Sequence, residues 1–192
     1  SGIANACVGE QGMIDATEAA NLAAQHVGVA PEEMAICSTG IIGVELAMAR
    51  IRASIANIKL SHDGGHAFAR SIMTTDSHPK ETAVLLKLGE VQCVVGGAAK
   101  GVGMINPSMA TMLCFITTDA AVEPQVLDSA LRRAVDRTFN MVSVDGDMST
   151  NDMVVVLANG MAGNKPVRSE TREADLLEEG LFEVCRTLTK MT

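Results

Sequence analysis

Four stretches of this 192-residue chain carry side chains whose type and spacing could do chemistry. The first, KGVGMINPSMATMLCFITTDA (residues 100–120), runs from a glycine-rich turn through Asn106-Pro107 into small residues, then into an apolar run that opens at Thr111. A hydroxyl at such a junction is a nucleophile once a base is supplied to it. By residue type alone, a β-branched threonine at the start of a strand is ordinary packing. The second stretch, GGAAKGVG (residues 96–103), has the glycines of a phosphate loop, but Gly101 follows Lys100 and no helix opens there, so a tight turn is expected. The third, VDGDMSTND, sets Asp145, Asp147, Ser149 and Asn151 at alternate positions, as a calcium loop does. Thr150 stands where that loop requires glycine and Val156 where it requires glutamate, so a polar loop holding its own backbone is expected. The fourth, HDGGH, places His62 and His66 at i and i+4 without the glutamate of a zinc helix, and with glycines where that helix must be firm. Adjacent Ser61, His62 and Asp63 make no catalytic triad, because triads are assembled in space. His26 and His78 read as surface residues.

These groups need elements to position them. DATEAANLAAQHVG predicts a helix that Asp15 caps, with Glu18 completing a capping box and Gly28 ending it. MAIC (residues 34–37) predicts a short strand that breaks at Ser38, Thr39 and Gly40. GVELAMARIRASIANI predicts a helix, and a second is expected from Gly65 to Arg70, before the run SIMTTD. ETAVLLKL and VQCVVGGAA predict a hairpin turning at Gly89-Glu90. TMLCFITTD is apolar on both faces and is expected at the centre of its sheet. EPQVLDSALRRAVDRTF predicts a helix with Pro124 in its first turn and Val126, Leu127, Ala130, Leu131 and Ala134 at helical spacing. MVVVLANG predicts a strand, and ETREADLLEEGLFEVCRTLTK an amphipathic helix that Gly180 weakens. Helices and hairpin-joined strands alternate without a steady βαβ repeat, so an α+β fold of mixed sheets covered by helices is expected.

Composition narrows the function classes. With 47% hydrophobic residues the chain has a core to bury, and with 2% aromatic residues that core is aliphatic. A formal net charge of −8 with no Lys/Arg cluster argues against nucleic acid, since no counterions would be released. No apolar run reaches the roughly 18 residues of a membrane span, and Ser1 opens no leader segment. Five cysteines without a CxxC pair predict reduced, buried thiols and a cytoplasmic protein.

MINPSMATML resembles the processing site of the ornithine acetyltransferase family. SGIANACVGEQGMIDA, CSTGIIG, SIMTTDSHPK and SVDGDMSTNDMVVVLANG resemble other family segments, in family order and over most of the chain. The resemblance implies an αββα-type layered sandwich, shared with the DmpA-like aminopeptidases. It implies one catalytic domain made as a precursor that cuts itself between Ala110 and Thr111. Residues 1–110 would then end the upstream piece and residues 111–192 begin the downstream one, the two staying associated in a higher oligomer. It further implies that Thr111 takes acetyl from N-acetylornithine as an ester and passes it to glutamate, without metal or cofactor. Acetyl-CoA is left open as a second donor. By the same resemblance Thr39 and Gly40 supply oxyanion donors, and Lys100 with Thr74 or Thr75 contacts substrate. The family's first strands and its late glutamate and substrate contacts have no counterpart here, so the chain reads as the central part of a longer protein. Two other readings stay open: a hydrolase using the same threonine with water as acceptor, and a folded core fragment without activity.

Overall fold

In a computed structural model the described residues are 2–106 and 112–192. They form two compact units, Ser1–Gly64 and Gly65–Thr192.

In the first unit, strand β1 (Gly2–Ile3) leads to helix α1 (Gly9–Val27), and strand β2 (Gly40–Ile41) returns parallel to β1 before helix α2 (Met48–Ile55). Gly28 ends α1 as expected, in the left-handed region at φ 79°, with its N–H on the Ala24 carbonyl at 2.8 Å. The start differs. The helix begins at Gly9, so Asp15 is no cap: it lies buried inside α1, and the Gln11 amide donates to it at 2.8 Å. Glu18 forms no capping box and instead takes both guanidinium donors of Arg52 on α2. The first turn lies close against the preceding loop, where a side chain at Gly12 would come within 2.5 Å of Val8. Residues 34–37 form no strand, because ladder pairing starts only at Gly40. The predicted 43–58 helix shortens to α2, since Gly43 at φ 79° breaks its beginning.

The second unit holds helix α3 (Gly65–Ser71) and strands β3 (Lys80–Leu88), β4 (Val91–Lys100), β5 (Leu113–Thr118) and β6 (Met153–Ala158), with helices α4 (Pro124–Asp136) and α5 (Arg172–Met191). The sheet order is β3-β4-β5-β6, antiparallel except for the parallel β5–β6 pair. Gly89 turns the hairpin at φ 65°. β5 is internal, as its two apolar faces predict: Cys114 and Ile116 are buried in the core with Leu181 and Val184 of α5, while Phe115 meets Phe68 of α3 edge-on at 5.1 Å. GGAAK is not a turn. It completes β4, and glycine at position 97 leaves room for Val184 and Leu188, which a Cβ would meet at 2.9 and 3.1 Å. The mixed sheet with helices packed on it is the expected α+β fold.

Gly180 does not weaken α5 so much as let it lie close to the sheet. A Cβ there would fall 2.7 Å from Leu86 on β3. Gly180→Leu is therefore expected to cost about 1–3 kcal/mol through overpacking, even though leucine is the better helix former. Denaturant midpoints of the single variant and of Gly180→Leu/Leu86→Ala check this. The double variant should regain part of the loss, and no recovery would place the strain elsewhere.

Candidate active site

Chain direction brings two loops to one end of the second unit's sheet. One runs from Ser71 into β3 and carries Thr74, Thr75 and Asp76; the other leaves β4 at Lys100. Across the β3–β4 ladder Lys80 pairs with Ala99, and across the β4–β5 ladder Lys100 pairs with Leu113. Lys100 is therefore fixed in register beside the strand that follows Thr111 in sequence, and Lys80 one strand further out.

Lys100 is buried, and its ammonium donates to the Thr74 hydroxyl at 2.7 Å. Thr74 and its chain neighbour Thr75 are both exposed. Burial pushes the Lys100 pKa down; Asp76 opposes the shift and the Lys80 ammonium adds to it. A lysine so placed holds its charge at a cost, which a bound carboxylate would relieve. Sequence reasoning named Lys100 and Thr74, and the structure brings them together. It missed the group that organises them. Asp76 accepts from the Lys80 ammonium at 2.5 Å, the Gly101 N–H at 2.7 Å and the Thr74 N–H at 3.1 Å. Its signal was present in SIMTTDSHPK, an acid and a lysine in one short loop.

A second polar loop, residues 142–152, holds the chain on both sides of residues 107–111. Asp145 accepts the N–H groups of Met104 at 2.7 Å and Ile105 at 3.0 Å, and Val144 donates to the Ile105 carbonyl at 2.9 Å. Asp152 accepts the Met112 N–H at 3.3 Å, and Met153 donates to the Met112 carbonyl at 3.0 Å. The Met104 N–H, against some desolvation, holds the Asp145 carboxyl below its usual value. Burial pushes Asp152 up, against hydrogen bonds from Ser149 and Met112. The loop thus holds its own backbone, as its Asp147 N–H on Asp145 shows, and also a neighbouring one. Among the described residues no three His, Cys, Asp or Glu side chains are arranged to hold a metal.

Thr39 and Gly40 lie in the first unit. Thr39 is buried, and Gly40 sits at φ 135° on β2, opposite Gly2. A Cβ on Gly40 would come within 2.1 Å of the Gly2 backbone. Gly40→Val is therefore expected to break the β1–β2 pairing whatever Gly40 does in catalysis, seen as lost hydrogen-exchange protection at Ala4, whose N–H bonds the Ile41 carbonyl. Protection kept at Ala4 would mean that the β1–β2 pairing accommodates the side chain, against this expectation. Thr39→Val, which keeps the shape, is the better probe of oxyanion donation. Ala110 and Thr111, the expected cleavage pair, lie outside the described residues.

The thiols depart from expectation. Cys93, Cys114 and Cys185 are buried, Cys37 is half-buried, and Cys7 is exposed on a loop at φ 58°. Burial pushes the Cys185 thiol up to about 12 and the Cys114 thiol well above its usual value, so neither is a ready nucleophile.

The chain as a whole is similar to known proteins. The ArgJ family model matches residues 1–192. The arginine biosynthesis bifunctional protein ArgJ of Symbiobacterium thermophilum is 58% identical over 192 residues, covering 99% of this chain and 48% of that protein. The protein of the same name from Bacillus subtilis is 45% identical over 190 residues, covering 99% of this chain and 47% of its own length. The chain spans about half the length of the curated relatives it matches. A crystal structure of the Bacillus halodurans protein superposes with a TM-score of 0.54 at 40% identity, over 57% of this chain and 58% of that one.

Proposed function

This chain belongs to the ArgJ family, and from that premise we propose that the full-length protein is an acetyltransferase that moves acetyl from N-acetylornithine to glutamate through an ester on Thr111. The observation that carries the reading is buried Lys100 donating to the exposed Thr74 hydroxyl, with Lys100 in register beside the strand that Thr111 precedes.

The chemistry runs in two stages. In the first, the Thr111 hydroxyl attacks the Ala110 carbonyl carbon, the Ala110–Thr111 C–N bond breaks, and an ester replaces the amide. Water then hydrolyses the ester, leaving a carboxylate on Ala110 and a free α-amine and hydroxyl on Thr111. In the second stage that amine serves as base for its own hydroxyl. Its ordinary pKa of about 7.7–8.0 suits a general base near neutral pH. The hydroxyl takes acetyl from N-acetylornithine, releases ornithine, and gives the acetyl to the glutamate amine. Oxyanion donors are assigned to Thr39 and Gly40, and substrate carboxylate binding to Lys100 with Thr74 or Thr75. The cycle needs no metal and no cofactor, and acetyl-CoA is open as a second donor. The proposed cut falls between β4 and β5, whose ladder runs from Lys100–Leu113 to Val95–Thr118, so both pieces would share one sheet. We place the protein in the cytoplasm, where thiols such as exposed Cys7 stay reduced. No described helix is long and apolar enough to cross a membrane.

The test is incubation of the full-length protein with N-acetylornithine and labelled glutamate. Labelled N-acetylglutamate with equal release of ornithine supports the reading. Free acetate with no acetylglutamate makes the protein a hydrolase, and no turnover with an uncut chain leaves a folded scaffold.

A further inference from the structure

The strongest unassigned feature is the loop of residues 142–152. Upstream of residues 107–111 it ties Met104 and Ile105 through Asp145 and Val144, and the Ser143 hydroxyl donates to the Asn106 side chain at 3.4 Å. Downstream it ties the Met112 N–H through Asp152, and Met153, which opens β6 directly after the loop, donates to the Met112 carbonyl. Ile105 and Met112 are themselves buried, so each flank is held by its side chain as well.

We infer that this loop positions the bond broken in the proposed self-cleavage, with Asp152 and Asp145 acting as positioning residues through the backbone on its two sides. The inference rests on the Thr111 reading above. Attack of a hydroxyl on the peptide carbon next to it succeeds only from a narrow set of geometries, and a segment free at one end seldom samples them. Fixing the residue after Thr111 at its N–H, carbonyl and side chain removes most of that freedom. Carboxylates suit the task because each accepts several N–H bonds and competes with none as a donor. Met104 shows that the upstream hold has work to do: its backbone sits at φ 53°, a conformation costly for a side-chain-bearing residue. The whole loop belongs to the downstream piece. After the cut, Asp145 and Val144 would keep the new upstream end attached.

The experiment follows cleavage of freshly synthesised full-length precursor by denaturing mass spectrometry, with Thr111→Ala as the uncut control. Folding is checked by thermal midpoints of each Asp variant in the Thr111→Ala background. Asp152→Ala is expected to slow the cut by roughly 10²-fold at temperatures where the chain is folded, the scale of a misplacement of about 1 Å. Asp152→Asn keeps an acceptor for the Met112 N–H and should cut within about tenfold of wild type. A folded Asp152→Ala precursor that cuts at the wild-type rate overturns the inference. So does an Asp152→Asn precursor as slow as Asp152→Ala, since the charge and not the acceptor would then matter. Should Asp152→Ala fail to fold, Asp145→Ala decides: a slowed cut supports the inference and a normal one overturns it. A wild-type precursor that never cuts overturns the parent reading and this one together, which no Asp variant alone can do.

Discussion

A Thr111→Ala variant of the full-length protein is expected to remain one chain and to transfer no acetyl from N-acetylornithine to glutamate. Both effects have one cause. In the proposed mechanism the hydroxyl is the attacking atom in self-cleavage and again in acetyl transfer, and alanine has none. The proposed base would be lost as well, because an internal threonine nitrogen is an amide with no basic lone pair and a free amine would exist only after the cut. The loss in kcat should be on the order of 10⁶, the scale for removing a nucleophile that acts with its base as a unit. Stability should change little, since Met112 stays tied to residues 152 and 153 and β5 stays paired on both sides. Thr111→Ser keeps a hydroxyl and should still cut. In the wild type, denaturing mass spectrometry should show two pieces, while native mass spectrometry shows one body held by the β4–β5 ladder. A wild-type protein that runs as a single uncut chain and still transfers acetyl would remove Thr111 from the mechanism.

The second unit was legible in sequence wherever a strong period met clear punctuation. α4 carries Val126, Ala130 and Ala134 on its buried face as their spacing predicts, and β5 is central as its two apolar faces require. The first unit was harder to read. Its strands are two residues long, so pattern carries almost nothing, and their position is set by Gly40 lying against the backbone of Gly2. α1 begins before the residues that resemble a cap, because Asp15 is stabilised inside the helix by Gln11 rather than at its end. A capping pattern marks where a helix can start, and packing decides where it does.

The site divides along the same line. Lys100, Thr74 and Thr111 were named because motifs carry them. Asp76 and Asp152 were not: the acid of SIMTTDSHPK is visible, but the Gly101 and Met112 N–H groups that these carboxylates accept lie far along the chain and leave no spacing signature. The alternation of Asp145, Asp147 and Asn151 was weighed against calcium. In the structure Asp145 is already occupied by N–H donors from Met104, Ile105 and Asp147, which is what an ionised carboxylate does without a cation.

The largest expected loss of stability follows from that hidden acid. Asp76→Ala should cost about 3–5 kcal/mol, the scale for stripping one partner from a buried ion pair. The Asp76 and Lys80 side chains are 1% and 0% exposed, so the stranded Lys80 ammonium has no water to turn to. The Gly101 and Thr74 N–H groups lose their acceptor as well, which adds to the penalty. The pair itself is not the source of net stability, only the breaking of it is costly. Asp76→Asn/Lys80→Met, which removes both charges and keeps an amide oxygen for one of the two N–H groups, should therefore regain part of the loss. The pH dependence has a definite sign. Burial raises the Asp76 carboxyl, but the Gly101 N–H, the Lys80 ammonium and the Thr74 N–H together bring it below its ordinary value. A folded-state pKa below the unfolded value of about 3.9 means that this stabilisation is whole above that pH and is lost as pH falls through the folded value. The wild type should thus lose stability below about pH 4 by a component that the double variant lacks. Denaturant midpoints of the three proteins between pH 7 and pH 3 check both claims. An Asp76→Ala protein with the wild-type midpoint at pH 7 would mean that Lys80 finds another partner, and the organising role given to Asp76 would fall with it.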